Sequence, residues 1–186
     1  MRIEEHTVRF AGEAGDIETI VEDPGTPRGI ALVCHPHPLF GGANTNKVTQ
    51  TLARTFTRLG YVALRPNFRG VGGSAGTHAD GRGEAEDMLA VLDAARQTYG
   101  DLPVVLAGFS FGAYVQTRVA QALAAAGQPA QRLVLVGTAA GFVEGARQYD
   151  VQAVAADTLV IHGAVDTTVP LANVLAWAEP LDLPVV

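Results

Sequence analysis

Ser110 stands between two glycines in Gly108-Phe109-Ser110-Phe111-Gly112, after the apolar run "PVVLAGF" and before the helical run "GAYVQTRVAQALAAAG". G-x-S-x-G in that setting is the pattern of a nucleophilic serine on a sharp strand-to-helix turn. The demand is steric. Strand and helix pass so closely around the serine that the positions two before and two after must be small, which Gly108 and Gly112 satisfy. The helix that begins at Phe111 adds its positive end, and the Phe111 N–H is placed to donate to an oxyanion. The plain alternative is a glycine-bracketed corner with an incidental serine. Downstream, "VIHGAVDTTVP" puts Asp166 four residues after a buried strand ends at His162. An acid there, later in the chain than the serine, suits the carboxylate that orients a catalytic imidazole. Its plain alternative is a turn or cap residue ahead of the helix that starts near Pro170.

A second oxyanion donor is expected from "LVCHPHPLFGGANTNK", the loop that leaves the third strand. Pro36 and Pro38 have no N–H, which leaves His37, Leu39 or Phe40, and Leu39 is the expected donor. His35 and His37 also form an H-x-H pair, a spacing that serves metals in some hydrolases. The chain offers only His162 as a comparable partner, so no metal site is expected, and His35 reads as a structural hydrogen-bonding group beneath the loop. "RGVGGSAG" (69–76) touches the dinucleotide fingerprint, but three residues separate the strand from its glycines and the helix starts late. Arg69 is expected to brace loop carbonyls beside the serine. No metal or organic cofactor is called for.

The elements that must position these groups alternate. "HTVRF" and "IETIVE" predict an opening antiparallel pair, and "GIALVCH", "YVALRP", "PVVLAGF", "RLVLVG" and "TLVIHG" predict buried strands. Helices are predicted over 46–59, with Val48, Leu52, Phe56 and Leu59 facing inward, and over 83–99, with Met88, Leu92 and Ala95 on one side. Two more are predicted over 112–127 and from Pro170 onward. Some twenty looser residues separate the last two of those strands. Strand and helix in turn give a three-layer α/β/α sandwich whose sheet is mainly parallel with an antiparallel start. Ligands of such sheets bind outside the carboxyl ends of the strands, where every residue above lies. One domain, 1–186, is expected.

Composition narrows the class. Of 186 residues 48% are hydrophobic and 17% charged, a globular balance, and the net charge of −6 argues against nucleic acid or anionic membranes as partners. The single cysteine, Cys34, ends an apolar strand and reads as a small buried hydrophobe. "MRIEEHTVRF" is too acidic for a signal peptide, and no apolar run approaches a membrane span. A cytoplasmic protein is expected.

Together "CHPHPLFGG", "NFRGVGGSAG", "GFSFGAY" and "HGAVDTTVP" resemble the α/β-hydrolase superfamily, and within it the small lidless bacterial hydrolases related to dienelactone hydrolase. The resemblance spans essentially the whole chain. It implies a serine esterase-type activity with Ser110 as nucleophile and Asp166 as triad acid. The short segment 137–157 leaves little room for a cap, which favours small acyl substrates. In that superfamily the catalytic histidine comes last, whereas His6, His35, His37, His78 and His162 all precede Asp166. The resemblance therefore implies a chain cut short within the final strand, with the strand's end, the base and the last helix beyond Val186. Residues 1–186 alone are then expected to be nearly inactive. The competing expectation is a non-catalytic protein of the same fold that binds a ligand or partner in the same pocket.

Overall fold

The computed structural model describes residues 3–143 and 147–186. Strands β1 (Glu4–Gly12) and β2 (Gly15–Asp23) form the opening antiparallel pair, and β2 also runs antiparallel to β4 (Tyr61–Pro66). The other neighbours pair in parallel: β4 with β3 (Gly29–Cys34), β3 with β5 (Val104–Phe109), β5 with β6 (Arg132–Val136), and β6 with β9 (Leu159–Ile161). The order across the seven-stranded sheet is β1-β2-β4-β3-β5-β6-β9. Residues 184–186 extend it by hydrogen bonds to β9, including Val186 N–H to Val160 O at 2.9 Å. This is the expected sandwich with a mainly parallel sheet.

All six residues of β3 and all six of β4 are buried, because helices cover both faces. On one face α2 (Arg82–Tyr99) and α3 (Phe111–Ala125) pack Met88, Leu92, Val115 and Val119 against Ile30, Leu32, Leu64 and Leu106. α4 (Leu171–Ala178) adds Val174 and Ala178 to the same core. On the other face α1 (Lys47–Arg58) packs Ala53 against Ala31, Val33, Ala63 and Ala107. Its inward stripe differs from the expected one. Thr49, Ala53 and Thr57 are buried, Val48, Leu52 and Phe56 flank them half-buried, and Leu59 is 56% exposed. The facing strands are alanine-rich, so the helix settles close and turns its small residues inward. On this same face, beyond α1, Leu159 and Ile161 of β9 are each 37% exposed.

Helix starts follow local chemistry. The Asn46 carboxamide oxygen accepts the Val48 and Thr49 N–H groups at the head of α1. The fully buried Glu84 carboxylate accepts the Ala79 and Gly81 N–H groups at the head of α2. The "looser" segment after β6 contains a small hairpin, β7 (Gly141–Val143) with β8 (Arg147–Tyr149), that sequence periodicity does not reveal. Cys34 is fully buried, and burial pushes its thiol pKa far up, so it is inert. Among the described residues no helix is long and apolar enough to cross a membrane.

Candidate active site

Ser110 is the single residue between β5 and α3, and its backbone sits at φ 55°, ψ −116°. An L-residue rarely adopts this conformation, which costs on the order of 1–3 kcal/mol and persists where the surroundings over-determine it. They do so here. The Ser110 N–H donates to Val136 O at 2.8 Å, and Ser110 O accepts the Tyr114 N–H at 3.2 Å and the Ala139 N–H at 3.3 Å. The flanking glycines are obligatory. A Cβ on Gly108 would lie 2.5 Å from the Gly112 carbonyl, and a Cβ on Gly112 would lie 2.5 Å from the carbonyl oxygens of both Cys34 and His35. As first residue of α3, Phe111 has no helical acceptor for its N–H.

The β3 loop lies against this corner and is pinned by His35. That side chain is fully buried; Nδ1 lies 2.7 Å from Pro36 O, and Nε2 accepts the Phe68 N–H at 2.9 Å. With Nδ1 donating and Nε2 accepting, the ring is neutral, and burial holds its pKa down at about 4. Neither nitrogen is left to ligate a metal. Beyond it, His37 caps a single 3-10 turn, Pro38–Phe40. Leu39, the expected oxyanion donor, gives its N–H to His37 Nδ1 at 3.2 Å, and Phe40 gives its N–H to His37 O at 3.1 Å. Among the described residues the His37 N–H alone of these three has no acceptor. The His37 ring lies 4.7 Å from that of Phe111, so the two unengaged N–H groups come from neighbouring residues.

Asp166 belongs to the same rim. Phe109, Val136 and Ile161 are in register across β5, β6 and β9, so Ser110 and the turn after β9 leave the sheet at one end, two strand spacings or roughly 10 Å apart. Asp166 Oδ1 accepts the Thr168 and Val169 N–H groups, each at 2.9 Å, so the carboxylate does cap its turn. Its Oδ2 takes no hydrogen bond among the described residues and lies 4.0 Å from His162 Nε2, which is itself 2.9 Å from Val169 O. The cap uses one oxygen and leaves the other for an orienting bond.

A family model described as the alpha/beta hydrolase fold matches residues 32–183. The chain belongs to that family. Similar solved structures include XC6422 of Xanthomonas campestris, described as an α/β serine hydrolase without a lid. It is 35% identical with a TM-score of 0.85, and the match covers 100% of this chain and 84% of that one. An α/β serine hydrolase homologue of Coxiella burnetii is also 35% identical, with a TM-score of 0.80 over 100% of this chain and 85% of that one. The Rickettsia prowazekii protein RP471 is 42% identical over 110 residues, 58% of this chain. That match spans 46% of RP471, about half its length.

Two features of this hydrolase-fold chain differ from expectation or go unannounced in its sequence. Arg69 bonds no loop carbonyl among the described residues. Its Nε meets Asp87 Oδ2 at 2.7 Å, and a terminal nitrogen meets Asp87 Oδ1 and Glu13 Oε2, each at 3.0 Å. It ties the loop after β4 to α2 and to the β1–β2 turn, because two carboxylates stabilise a guanidinium better than neutral carbonyls do. The second feature is a pocket of about 410 Å³ beside the elbow, whose wall includes His37, His78, Phe111 and Tyr149. His78 Nδ1 lies 2.8 Å from Glu84 Oε1, and the ring lies 4.8 Å from that of His37. Burial together with the His78 and Arg147 charges lowers the His37 pKa to about 4. β8 supplies Tyr149 and Arg147; the tyrosine's nearly buried ring against Phe111 is a signal visible only once the hairpin is formed.

Proposed function

We propose that Ser110 is the nucleophile of a serine hydrolase acting on small carboxylic esters or thioesters through an acyl-enzyme. The observation that carries this reading is the strained Ser110 backbone, held between two glycines that admit no side chain, beside the unengaged Phe111 and His37 N–H groups. Ser110 Oγ attacks the carbonyl carbon, and its proton passes to an imidazole. The tetrahedral oxyanion accepts hydrogen bonds from the Phe111 and His37 N–H groups, the latter in place of Leu39. The C–O or C–S bond breaks, the alcohol or thiol leaves with that proton, and water then releases the acid by the same steps in reverse roles. Asp166 Oδ2 orients the imidazole and stabilises its charged form. The small hydrolases related to dienelactone hydrolase remain the group this scheme fits, and a cytoplasmic location with a soluble acyl substrate agrees with it.

The base is the open part of the scheme. Each buried or half-buried histidine is engaged elsewhere: His35 with Pro36 and Phe68, His37 with Leu39, His78 with Glu84, His162 with Val169. Residues 1–186 by themselves are therefore proposed to turn over slowly, with roughly 10³–10⁴ over water left from the oxyanion donors and binding. The same observation favours the second reading, a non-catalytic binder of this fold. A fluorophosphonate probe decides between them. Labelling that maps to Ser110 and vanishes in Ser110→Ala supports the hydrolase; equal labelling of both proteins, or none of either, overturns it.

A further inference from the structure

The pocket beside the elbow carries a charge opposite to that of the chain. Arg82, Arg118 and Arg147 line it, and the one carboxylate on its wall, Asp80, lies with Oδ1 3.2 Å from His78 Nε2, whereas the whole sequence has a net charge of −6. Asp80 offers little opposition, since its side chain is 98% exposed. Glu84, behind the wall, is buried and already accepts the Ala79 and Gly81 N–H groups and faces His78. The three arginines come from three elements, α2, α3 and β8, and meet at this cavity.

Two of the guanidinium groups are set in place. Arg118 donates to Tyr114 Oη at 2.6 Å and lies 5.0 Å over the Tyr114 ring, while its buried Nε has no hydrogen-bond partner among the described residues. Arg147 lies 4.1 Å over the Phe40 ring. An aromatic face that holds a guanidinium plane removes much of the entropy otherwise lost when the group engages a ligand. A planar or tetrahedral oxyanion in the cavity would accept from the guanidinium groups that line it, which a neutral alkyl chain would leave without an acceptor.

We propose that this pocket holds an anionic group of the substrate, a carboxylate or a phosphate, so that the ester or thioester attacked by Ser110 carries a second, negatively charged end. This rests on the serine-hydrolase reading above and narrows it to half-esters of dicarboxylic acids and to esters or thioesters bearing phosphate. The Phe111 side chain is part of the pocket wall and Phe111 directly follows Ser110, so an anion seated here lies beside the proposed nucleophile.

The test separates binding from chemistry by using Ser110→Ala protein of residues 1–186. It is titrated calorimetrically with monomethyl glutarate, with phenyl phosphate, and with dimethyl glutarate as the neutral control. At least one of the anions is expected to bind about tenfold or more tightly than the diester, the size of one charge-assisted hydrogen bond. That advantage should shrink about tenfold in Arg82→Gln and in Arg118→Gln, return in part in Arg118→Lys, and fall with added salt. Preference for monomethyl glutarate assigns a carboxylate, and preference for phenyl phosphate assigns a phosphate. Equal affinity for diester and anions, or anion binding unchanged in both glutamine variants, overturns the proposal. Arg82 is exposed, so Arg82→Gln reports even if Arg118→Gln does not fold. Anion binding of the expected kind beside a Ser110 that fluorophosphonate never labels would sink the hydrolase reading and leave an anion-binding pocket.

Discussion

The Gly112 Cα and the His35 carbonyl are so close that a methyl group on the former would lie 2.5 Å from the oxygen of the latter. This contact seats the N-terminus of α3 on the loop that carries His37, the second oxyanion donor of the proposed scheme, so one missing side chain sets the spacing of the two segments. Gly112→Ala is expected to lower stability by about 3 kcal/mol, the upper range for overpacking a site that cannot yield, and to abolish fluorophosphonate labelling. Gly127→Ala supplies the contrast: φ is +73° but nothing lies within 4 Å, so the cost is that of the backbone alone, about 1–2 kcal/mol, with labelling intact. Urea unfolding of the pair, with labelling in parallel, checks both. Equal losses would mean that the close approach has no energetic consequence.

Ser110 trades stability for position. Glycine reaches φ 55°, ψ −116° without steric strain, so Ser110→Gly should be more stable than the parent by about 1 kcal/mol. Relief of 1–3 kcal/mol of strain is offset in part by the extra entropy of an unfolded glycine. Labelling should be lost entirely. A urea midpoint below that of the parent would show that the backbone is not strained at this residue.

The proposed scheme gives Asp166 two jobs on two oxygens, and substitution can separate them. Asp166→Asn keeps an oxygen for the Thr168 and Val169 N–H groups and should change stability by less than about 0.5 kcal/mol, whereas Asp166→Ala should cost about 1 kcal/mol. Free imidazole added to residues 1–186 is expected to raise p-nitrophenyl acetate hydrolysis about tenfold over the same addition to Ser110→Ala. That gain should fall in Asp166→Asn as well as in Asp166→Ala, because a neutral amide cannot stabilise imidazolium. A gain that survives in both would leave Asp166 as a turn residue only.

What the sequence made legible was what is encoded within a few residues. Gly108 and Gly112 bracket Ser110 inside a pentapeptide, so the tight corner is written locally, and the position of Asp166 after β9 follows from one apolar run. Arg69 was visible as an arginine after a strand, but its partner Asp87 lies on a helix eighteen residues further on. Removing two prolines left three N–H groups in the β3 loop, and only the closing of a 3-10 turn shows that those of Leu39 and Phe40 are spent within it. The β7–β8 pair escaped because each strand has three residues and one buried side chain, Val143 or Tyr149, too few for a period to show. With it went Arg147 and much of the pocket's character.

His35 ties the acid stability of the fold to the site. Its imidazole is neutral in the folded protein, with a pKa held at about 4 mainly by burial and against the Pro36 hydrogen bond, while an unfolded histidine titrates near 6.5. As pH falls below 6.5 the unfolded chain takes up a proton that the folded one refuses, so the stability present above 6.5 is lost progressively until the folded group protonates near 4. The loss should reach about 2–3 kcal/mol by pH 4.5 at 1.36 kcal/mol per unit. Protonation of Nε2 would also evict the Phe68 N–H and loosen the loop that carries His37. His37 shifts in the same direction but is less enclosed, so its share is smaller. His35→Gln should be less stable than the parent at pH 7, and that gap should narrow by about 2–3 kcal/mol at pH 4.5, measured by urea unfolding at both values. A gap that stays constant would mean that the imidazole titrates in the folded protein as it does in the unfolded chain and that the Phe68 hydrogen bond is not made as described.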